Sequence, residues 1–315
     1  MKRRYHFLIV IGVLLIGMIV GSFFDLQINQ ALFFKDNAFG LGMATFGVYP
    51  CYMGLAFAGG ALFVSAIKRR KELRLYALIL CHLFAFVALG MAIWLCGKEY
   101  ASPNGFVNGS NLVGYLIAGV VMVLTFIASY FLCQKGDFKT VLPMAILMIV
   151  IFTIALLPPG YVIKLFIHRP RYRYAVRDGL TSYYNWWEMF PEYKNYISTA
   201  ENPIFLEGFE ITKEEFKSFP SGHSGTGAIM MMFLPYMSLT FKKLRGKETL
   251  LFYIGFVWML IMMFSRITVG AHYLTDTCMG SLFVAIVYYV VNEIAYRKKI
   301  FDFKEENNDP VLLAE

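Results

Sequence analysis

The feature that most constrains this chain is a series of apolar blocks about twenty residues long. A helix of that length crosses the hydrocarbon core of a bilayer. The composition agrees, because 58% of the 315 residues are hydrophobic and only 16% are charged. Eight blocks fit: 6–24, 45–67, 75–96, 112–134, 141–163, 223–241, 249–264 and 274–295. The sequence therefore predicts an all-α fold, a polytopic transmembrane helical bundle of about eight spans.

Basic residues account for the formal net charge of +8 and lie mainly on one side of the predicted membrane. They occupy both ends of the chain and the connections after the second, fourth and sixth spans: 2–4, 68–74, 135–139, 242–247 and 297–299. By the positive-inside rule these segments are cytoplasmic. Both termini are then cytoplasmic and the odd-numbered connections face outward. The lipid bilayer is the expected partner, nucleic acid is not, and the sequence does not indicate an oligomeric state.

One outward connection, residues 165–219, is polar and aromatic, and its length predicts a small folded extracytoplasmic cap. Its aromatic residues predict either an interfacial belt or the mouth of a site for an amphiphile: Tyr183, Tyr184, Trp186, Trp187 and Phe190. Several basic residues lie here or just before it, against the charge bias: Lys164, Arg169, Arg171, Arg173 and Arg177. We expect a functional cause for this exception.

Three polar segments fall at the same predicted outer face, and the last of them is SRITVGAHYLTD, residues 265–276. His272 and Asp276 are four residues apart, which places them on one face of a helix that begins near His272. A carboxylate that accepts from one imidazole nitrogen leaves the other as a nucleophile or base. Arg266 offers a planar fork for phosphate oxygens. The alternative is an ordinary ion pair at a helix start with a snorkelling arginine.

The other two segments are PSGH, residues 220–223, and KLFIHRPR, residues 164–171. Backbone N–H groups at the start of the sixth span suit an anion beside Ser221 and Gly222. His223 would then donate a proton to a leaving oxygen. The alternative is a serine N-cap with a solvated histidine. Lys164 and Arg171 are either a snorkelling belt or two arms of an oxyanion cage.

Together the three segments resemble the signature motifs of bacterial membrane-bound members of the type-2 phosphatidic acid phosphatase superfamily. PSGH matches in full, and so does the spacing of Ser265, Arg266, His272 and Asp276. The first motif departs from the pattern, because Tyr172 replaces the proline after Arg171 whereas Pro170 follows Arg169. Spacing favours Arg171 as the phosphate ligand. DLQINQALFF, after the first span, resembles an amphipathic segment near the start of such members.

This resemblance implies a six-helix phosphatase core, 75–296, that holds the cap, 165–219; the spans in 1–74 are expected to be additional and 297–315 a cytoplasmic tail. It implies a phosphohistidine intermediate on His272, with Asp276 orienting it and His223 as proton donor, and no metal or cofactor. Lys164, Arg171, Ser221, Gly222 and Arg266 are expected to hold the phosphate. The expected substrate is a membrane lipid phosphate: a polyprenyl pyrophosphate such as undecaprenyl pyrophosphate is slightly favoured over phosphatidylglycerol phosphate, phosphatidic acid and diacylglycerol pyrophosphate. A phosphotransferase using the same site, and an anion or lipid transporter without catalysis, are the alternatives.

Overall fold

The structure, a computed structural model, describes residues 4–100, 111–136, 138–188, 193–199 and 201–298. Ten α-helices occur in this part of the chain: α1 (Arg4–Leu32), α2 (Ala38–Phe46), α3 (Tyr49–Lys68), α4 (Leu75–Tyr100), α5 (Asn111–Cys133), α6 (Phe138–Tyr161), α7 (Tyr172–Arg177), α8 (Gly222–Thr240), α9 (Glu248–Thr268) and α10 (Leu274–Arg297). The extended structure of the described residues is one antiparallel hairpin of two-residue strands, β1 (Phe205–Leu206) and β2 (Phe209–Glu210). The predicted all-α fold is confirmed.

Seven segments of the described chain are long and apolar enough to cross a membrane: Tyr5–Leu32, Ala38–Lys68, Leu75–Tyr100, Leu112–Cys133, Phe138–Leu156, Glu248–Thr268 and Leu274–Ala295. They match seven of the eight predicted blocks, so this is a multi-pass membrane protein. The remaining block, 223–241, is the sixth in chain order and forms α8, which is not among the seven. Most α8 side chains are buried, because the helix packs along α9 and also contacts α10, α6 and α3.

The helices at the N-terminal end do not all lie at the periphery. α1 packs along α10, and α2 packs against α9. α3 lies between α4, α5 and α6, whereas α4 and α5 expose most of their side chains on the outside of the bundle. The division of the chain at residue 74 into additional spans and a core stays a prediction, but α1 and α2 directly contact the C-terminal helices.

The end of the first span and the placement of His272 differ from the prediction in ways that affect the site. The first span was expected to end at residue 24, but α1 continues to Leu32 and carries the buried polar residues Asp25 and Asn29 inward. The last span begins at Leu274, as the block 274–295 predicted, so the expectation that a helix beginning near His272 carries both His272 and Asp276 was wrong. His272 therefore lies in the turn between α9 and α10 and not on the same helix as Asp276.

The segment between α6 and α8 has a small core of its own. Tyr174 of α7, Ile211 and Phe216 are buried together. The described part of this segment also contains the β1–β2 hairpin and three short 3₁₀ helices, Ile163–Leu165, Tyr193–Tyr196 and Lys213–Phe216. Its position over the ends of α8 and α10 follows from Ser218, whose hydroxyl donates to Asp276 Oδ2 at 2.5 Å.

Candidate active site

The His272 imidazole is held by the residue that precedes the PSGH segment by two positions. Its Nδ1 lies 2.6 Å from the Ser218 carbonyl oxygen, and the residue is only 1% exposed. A carbonyl can only accept, so the proton of the neutral ring is assigned to Nδ1. Nε2 keeps its lone pair. The Asp276 carboxylate lies farther away, with Oδ2 at 3.7 Å from Nδ1.

Asp276 acts on His272 at close range but is itself fixed by other groups. Ser218 Oγ and the Tyr273 backbone N–H both donate to Oδ2, at 2.5 and 2.9 Å. Oδ1 accepts from Arg169 Nη1 at 2.6 Å. The carboxylate is fully buried and charge-paired, as a buried anion must be. Ser218 therefore links His272 to Asp276. Its carbonyl oxygen accepts from His272, and its hydroxyl donates to Asp276.

Arg169 is a structural cation that joins α1 to α10. It is 0% exposed, its Nη2 donates to Asp25 Oδ2 at 2.9 Å, and its Cζ lies 3.9 Å from the centre of the Tyr273 ring. Burial opposes the charge, but Asp276 and Asp25 outweigh burial and raise the pKa of Arg169 above its ordinary value. Because its guanidinium is already occupied by two carboxylates, Arg169 has little capacity left for a substrate phosphate.

The turn that carries His272 is fixed by α7. The Arg173 backbone N–H donates to the Gly270 carbonyl at 2.9 Å, and Gly270 has a positive φ of 64° that favours glycine. The Arg173 side chain makes two hydrogen bonds to the Glu215 carboxylate, at 3.0 and 2.7 Å. Arg169 and Arg173 are therefore basic residues on the predicted outer side because buried carboxylates pair with them.

The start of α8 lies directly against the start of α10. Ser221 is the N-cap, and its Oγ accepts from the Ser224 backbone N–H at 3.3 Å. The Ser221 backbone N–H donates to the Asp276 carbonyl at 2.9 Å. Gly280 permits this approach, because a Cβ built there would lie 2.1 Å from the Ser221 carbonyl oxygen. A Cβ built at Gly222, in contrast, meets nothing within 4 Å, so the helix start is open beside it.

His223, in the first turn of α8, is held through a single ring nitrogen. Its Nε2 lies 3.1 Å from the Ala44 carbonyl oxygen of α2 and 3.4 Å from Oε2 of Glu99, at the end of α4. The Ala44 carbonyl can only accept, which assigns the proton to Nε2. The imidazole is 18% exposed. His223 is thus neither buried like His272 nor freely solvated.

Arg171 and Arg266 retain unused donor groups, and Lys164 lies close enough to act on Arg171 electrostatically. In the described part of the chain, Arg171 Nε and Arg266 Nε are buried without a hydrogen-bond partner. Arg266 Nη1 donates to the Gly40 carbonyl at 3.3 Å. Lys164, in the 3₁₀ turn Ile163–Leu165 after α6, is half-buried. Buried donors without acceptors are costly, so an anion that fills them would be stabilised.

These cations act electrostatically on one another, and two of them act on His272. The charges of Arg171 and Lys164 both reach His272: burial lowers its pKa well below the ordinary value, and these cations act in the same direction, against the opposing effect of Asp276. Arg171 also acts on Arg266 and on Lys164. Glu99, which pairs with His223, is within range of all three cations. The three polar segments therefore meet at one end of the bundle.

The comparison with known families matches residues 143–300 to the PAP2 superfamily, which is half of the chain. The chain belongs to the PAP2 superfamily. This confirms the resemblance inferred from the three motifs. No curated protein and no solved structure matches the chain. The protein is a multi-pass PAP2-family membrane phosphatase, and phosphatases of this family are generally metal-independent.

Three side chains that contact the candidate site or its supporting arginine were not predicted: Ser218, Asp25 and Glu99. A signal existed for Asp25, because a carboxylate within an apolar helix is costly unless it pairs, but the first span was ended one residue too early. No sequence pattern distinguishes Glu99 or Ser218 from other polar residues. Their roles depend on contacts with distant residues, His223 for Glu99 and His272 for Ser218. Within the described residues, no group of three His, Cys, Asp or Glu side chains forms a candidate metal site.

The cap aromatics divide into two groups in the PAP2 phosphatase. Tyr183 packs edge-on against Tyr273, with ring centres 5.6 Å apart, and Trp186 stacks on Phe219 at 5.7 Å. Trp187 is 53% exposed. Phe190 lies outside the described residues. Tyr183 and Trp186 thus pack against residues next to the motifs, whereas Trp187 is exposed at the surface of the protein.

Proposed function

We propose that this phosphatase hydrolyses a phosphate monoester or pyrophosphate of a membrane lipid through a phosphohistidine on His272. The observation that carries the proposal is the cluster of Lys164, Arg171 and Arg266, in which Arg171 Nε and Arg266 Nε are buried without a hydrogen-bond partner among the described residues. Arg171 and Lys164 act electrostatically on His272, and Arg171 acts on Arg266. Nε2 of His272 is the nitrogen with a free lone pair. A cation cluster beside a neutral, oriented imidazole supplies what phosphoryl transfer needs.

In the first step, His272 Nε2 attacks phosphorus and the bond from phosphorus to the leaving oxygen breaks. His223 gives a proton to that oxygen, which departs with the lipid as an alcohol or a phosphate. The three cations and the backbone N–H at Gly222 hold the equatorial oxygens, where charge is concentrated. The Ser221 N–H is already donated to the Asp276 carbonyl, so Ser221 contributes as the N-cap that fixes this helix start. The imidazolium of phospho-His272 is stabilised by Asp276 and keeps Nδ1–H on the Ser218 carbonyl.

In the second step, water attacks phosphorus and the bond to Nε2 breaks. His223 accepts a proton from the water, which returns it to its starting state for the next cycle. Inorganic phosphate leaves and neutral His272 is restored. Each proton taken or given in this cycle is handled by His223, so His272 needs no other proton acceptor.

A lipid substrate is supported by where the site lies. The cluster is at one end of a bundle of apolar helices, and the segment between α6 and α8 exposes Trp187. A lipid can keep its tail in the bilayer while its phosphate reaches the cations. The basic connections favour an extracytoplasmic site with both termini cytoplasmic. Among lipid phosphates we favour a polyprenyl pyrophosphate slightly.

The test is phosphate release by the purified full-length protein in detergent, with a metal chelator present, from undecaprenyl pyrophosphate, phosphatidylglycerol phosphate, phosphatidic acid and diacylglycerol pyrophosphate. We expect release from at least one of these lipids. His272→Ala should reduce release by at least about 10³-fold, since it removes the nucleophile. His82→Ala, on the exposed helix α4, is the matched control and should remain active.

Release by His272→Ala at the wild-type rate would overturn the proposal. Phosphate transfer to an added lipid or sugar in place of water would show the phosphotransferase. Binding of a lipid phosphate with no bond cleavage, by protein that remains folded, would favour the transporter.

A further inference from the structure

Each of the two histidines of the candidate site has a backbone carbonyl and a carboxylate at one ring nitrogen. The groups that contact the His272 ring lie within the family match, whereas those that contact the His223 ring lie before it. His272 has a backbone carbonyl and a carboxylate at Nδ1, from Ser218 at 2.6 Å and Asp276 at 3.7 Å. His223 has a backbone carbonyl and a carboxylate at Nε2, from Ala44 at 3.1 Å and Glu99 at 3.4 Å. Ala44 and Glu99 both precede residue 143, where the match to the PAP2 superfamily begins.

Packing fixes the end of α4 that carries Glu99. A Cβ built at Gly97 would lie 2.3 Å from the Tyr115 ring of α5, and one at Gly114 would lie 2.8 Å from the Tyr100 ring. Tyr100 also contacts Phe46 of α2 edge-on, with ring centres 6.2 Å apart. Because α4 is held on both sides, the side chain of Glu99 extends from a fixed backbone.

Glu99 is directed to His223 and not to the cations. Among the described residues its one ion pair is with His223, and it is 26% exposed. Lys98, Arg266, Lys164 and Arg171 act on it only at longer range. A carboxylate used only to neutralise the cation cluster would be expected to pair with one of those cations.

We propose that Glu99 is a positioning residue that holds His223 in the orientation required of the proton donor. This inference rests on the proposed function. With Nε2–H directed at the Ala44 carbonyl and the Glu99 carboxylate, the second proton of the charged ring is on Nδ1. Nδ1 has no hydrogen bond within the described residues and is the nitrogen that gives its proton to the leaving oxygen. The Glu99 carboxylate and the Ala44 carbonyl hold Nε2 and thereby direct Nδ1 away from them, toward the leaving oxygen.

A proton donor speeds the reaction most when the leaving oxygen is strongly basic, because such an oxygen departs slowly unless it is protonated. The experiment therefore compares two soluble phosphate monoesters with purified full-length protein: decyl phosphate, which must release an alkoxide, and p-nitrophenyl phosphate, which releases a stable phenolate. The variants are Glu99→Gln, Glu99→Asp and the control Glu72→Gln, whose side chain lies in the α3–α4 connection and pairs with Arg69.

For Glu99→Gln we expect kcat on decyl phosphate to fall about 10- to 100-fold, the usual effect of losing a partner that orients an imidazole. KM should change less than threefold, and kcat on p-nitrophenyl phosphate should stay within about threefold of wild type because that leaving group needs little protonation. Glu99→Asp keeps the charge and should restore part of the rate on decyl phosphate. Glu72→Gln should match wild type on both.

Equal losses on the two esters, or no loss on either, would overturn the role of Glu99 while leaving the proposed function in place. A wild-type protein that releases phosphate from neither ester and from none of the four lipids would instead contradict the proposed function. A large rise in KM with unchanged kcat would assign Glu99 to phosphate binding and would also overturn the inference.

Discussion

At the scale of single residues, the site separates cations that hold the fold from cations that are free to hold a substrate. Arg169 and Arg173 are each paired with buried carboxylates. Arg171 and Arg266 each keep a buried Nε without a partner among the described residues. The sequence left open whether Arg169 or Arg171 contacts phosphate, and this difference in pairing favours Arg171.

We therefore expect Arg169→Gln to reduce the stability of the protein and Arg171→Gln to reduce its activity. Arg169→Gln leaves Asp25 and Asp276 buried without their cation and should destabilise the protein by about 3–5 kcal/mol. Arg171→Gln should leave stability near wild type but reduce kcat/KM about 10²- to 10³-fold, the effect of losing one donor to the transition state. Thermal unfolding in detergent and phosphate release measure the two effects; a stable Arg169→Gln protein would contradict the structural role.

Lys164 should impose an upper pH limit on substrate capture. Burial, together with the nearby Arg171, lowers the pKa of Lys164 to about 8. Lys164 is cationic below that pH and neutral above it, so kcat/KM should fall as the pH rises through about 8. Lys164→Arg keeps its charge at higher pH and should lose this limb. An identical limb in wild type and Lys164→Arg would show that another group titrates.

At the scale of elements, the site depends on how closely α8 approaches α10. The N-cap of α8 donates to the Asp276 carbonyl of α10, and the Ser281 hydroxyl donates to the Ser224 carbonyl at 3.3 Å. The hydrogen bond from the Arg173 backbone N–H of α7 to the Gly270 carbonyl fixes the turn that carries His272. His272 then contacts Ser218, in the segment between α6 and α8. α1 adds Asn29, whose side chain donates to the His272 carbonyl at 3.1 Å.

Gly280→Ala tests this approach, because the added methyl group would meet the Ser221 carbonyl oxygen at 2.1 Å. We expect α8 to shift away from α10, and kcat to fall at least about tenfold, since small displacements of positioned groups are costly in catalysis. Gly119→Ala on α5 is the matched control, because a Cβ there meets nothing within 4 Å. Equal activity of the two variants would contradict the close contact.

At the scale of the whole molecule, helices outside the family match help to build the site. α1 supplies Asp25 to Arg169, α2 supplies the Ala44 carbonyl to His223, and α4 supplies Glu99. These helices are more than extra membrane anchors, because their polar groups contact motif residues.

The orientation of the molecule can be tested by labelling. In a background without the five cysteines, Lys213→Cys in the cap should react with a membrane-impermeant maleimide in intact cells. Lys71→Cys, in the α3–α4 connection, should react only after the cells are permeabilised. Both lysines are exposed, so access to reagent depends on the side of the membrane. The reverse pattern would place the site on the cytoplasmic side.

The sequence by itself determined the helical class, most of the spans and the motif residues. Apolar blocks of bilayer length permit little besides helices, and motif chemistry depends on residue types at fixed spacing. Only the tertiary structure decided which groups orient those residues. Ser218 acts on His272, and Glu99 acts on His223, across long separations in the chain. Such contacts depend on helix packing and on where each helix ends, which local pattern does not encode.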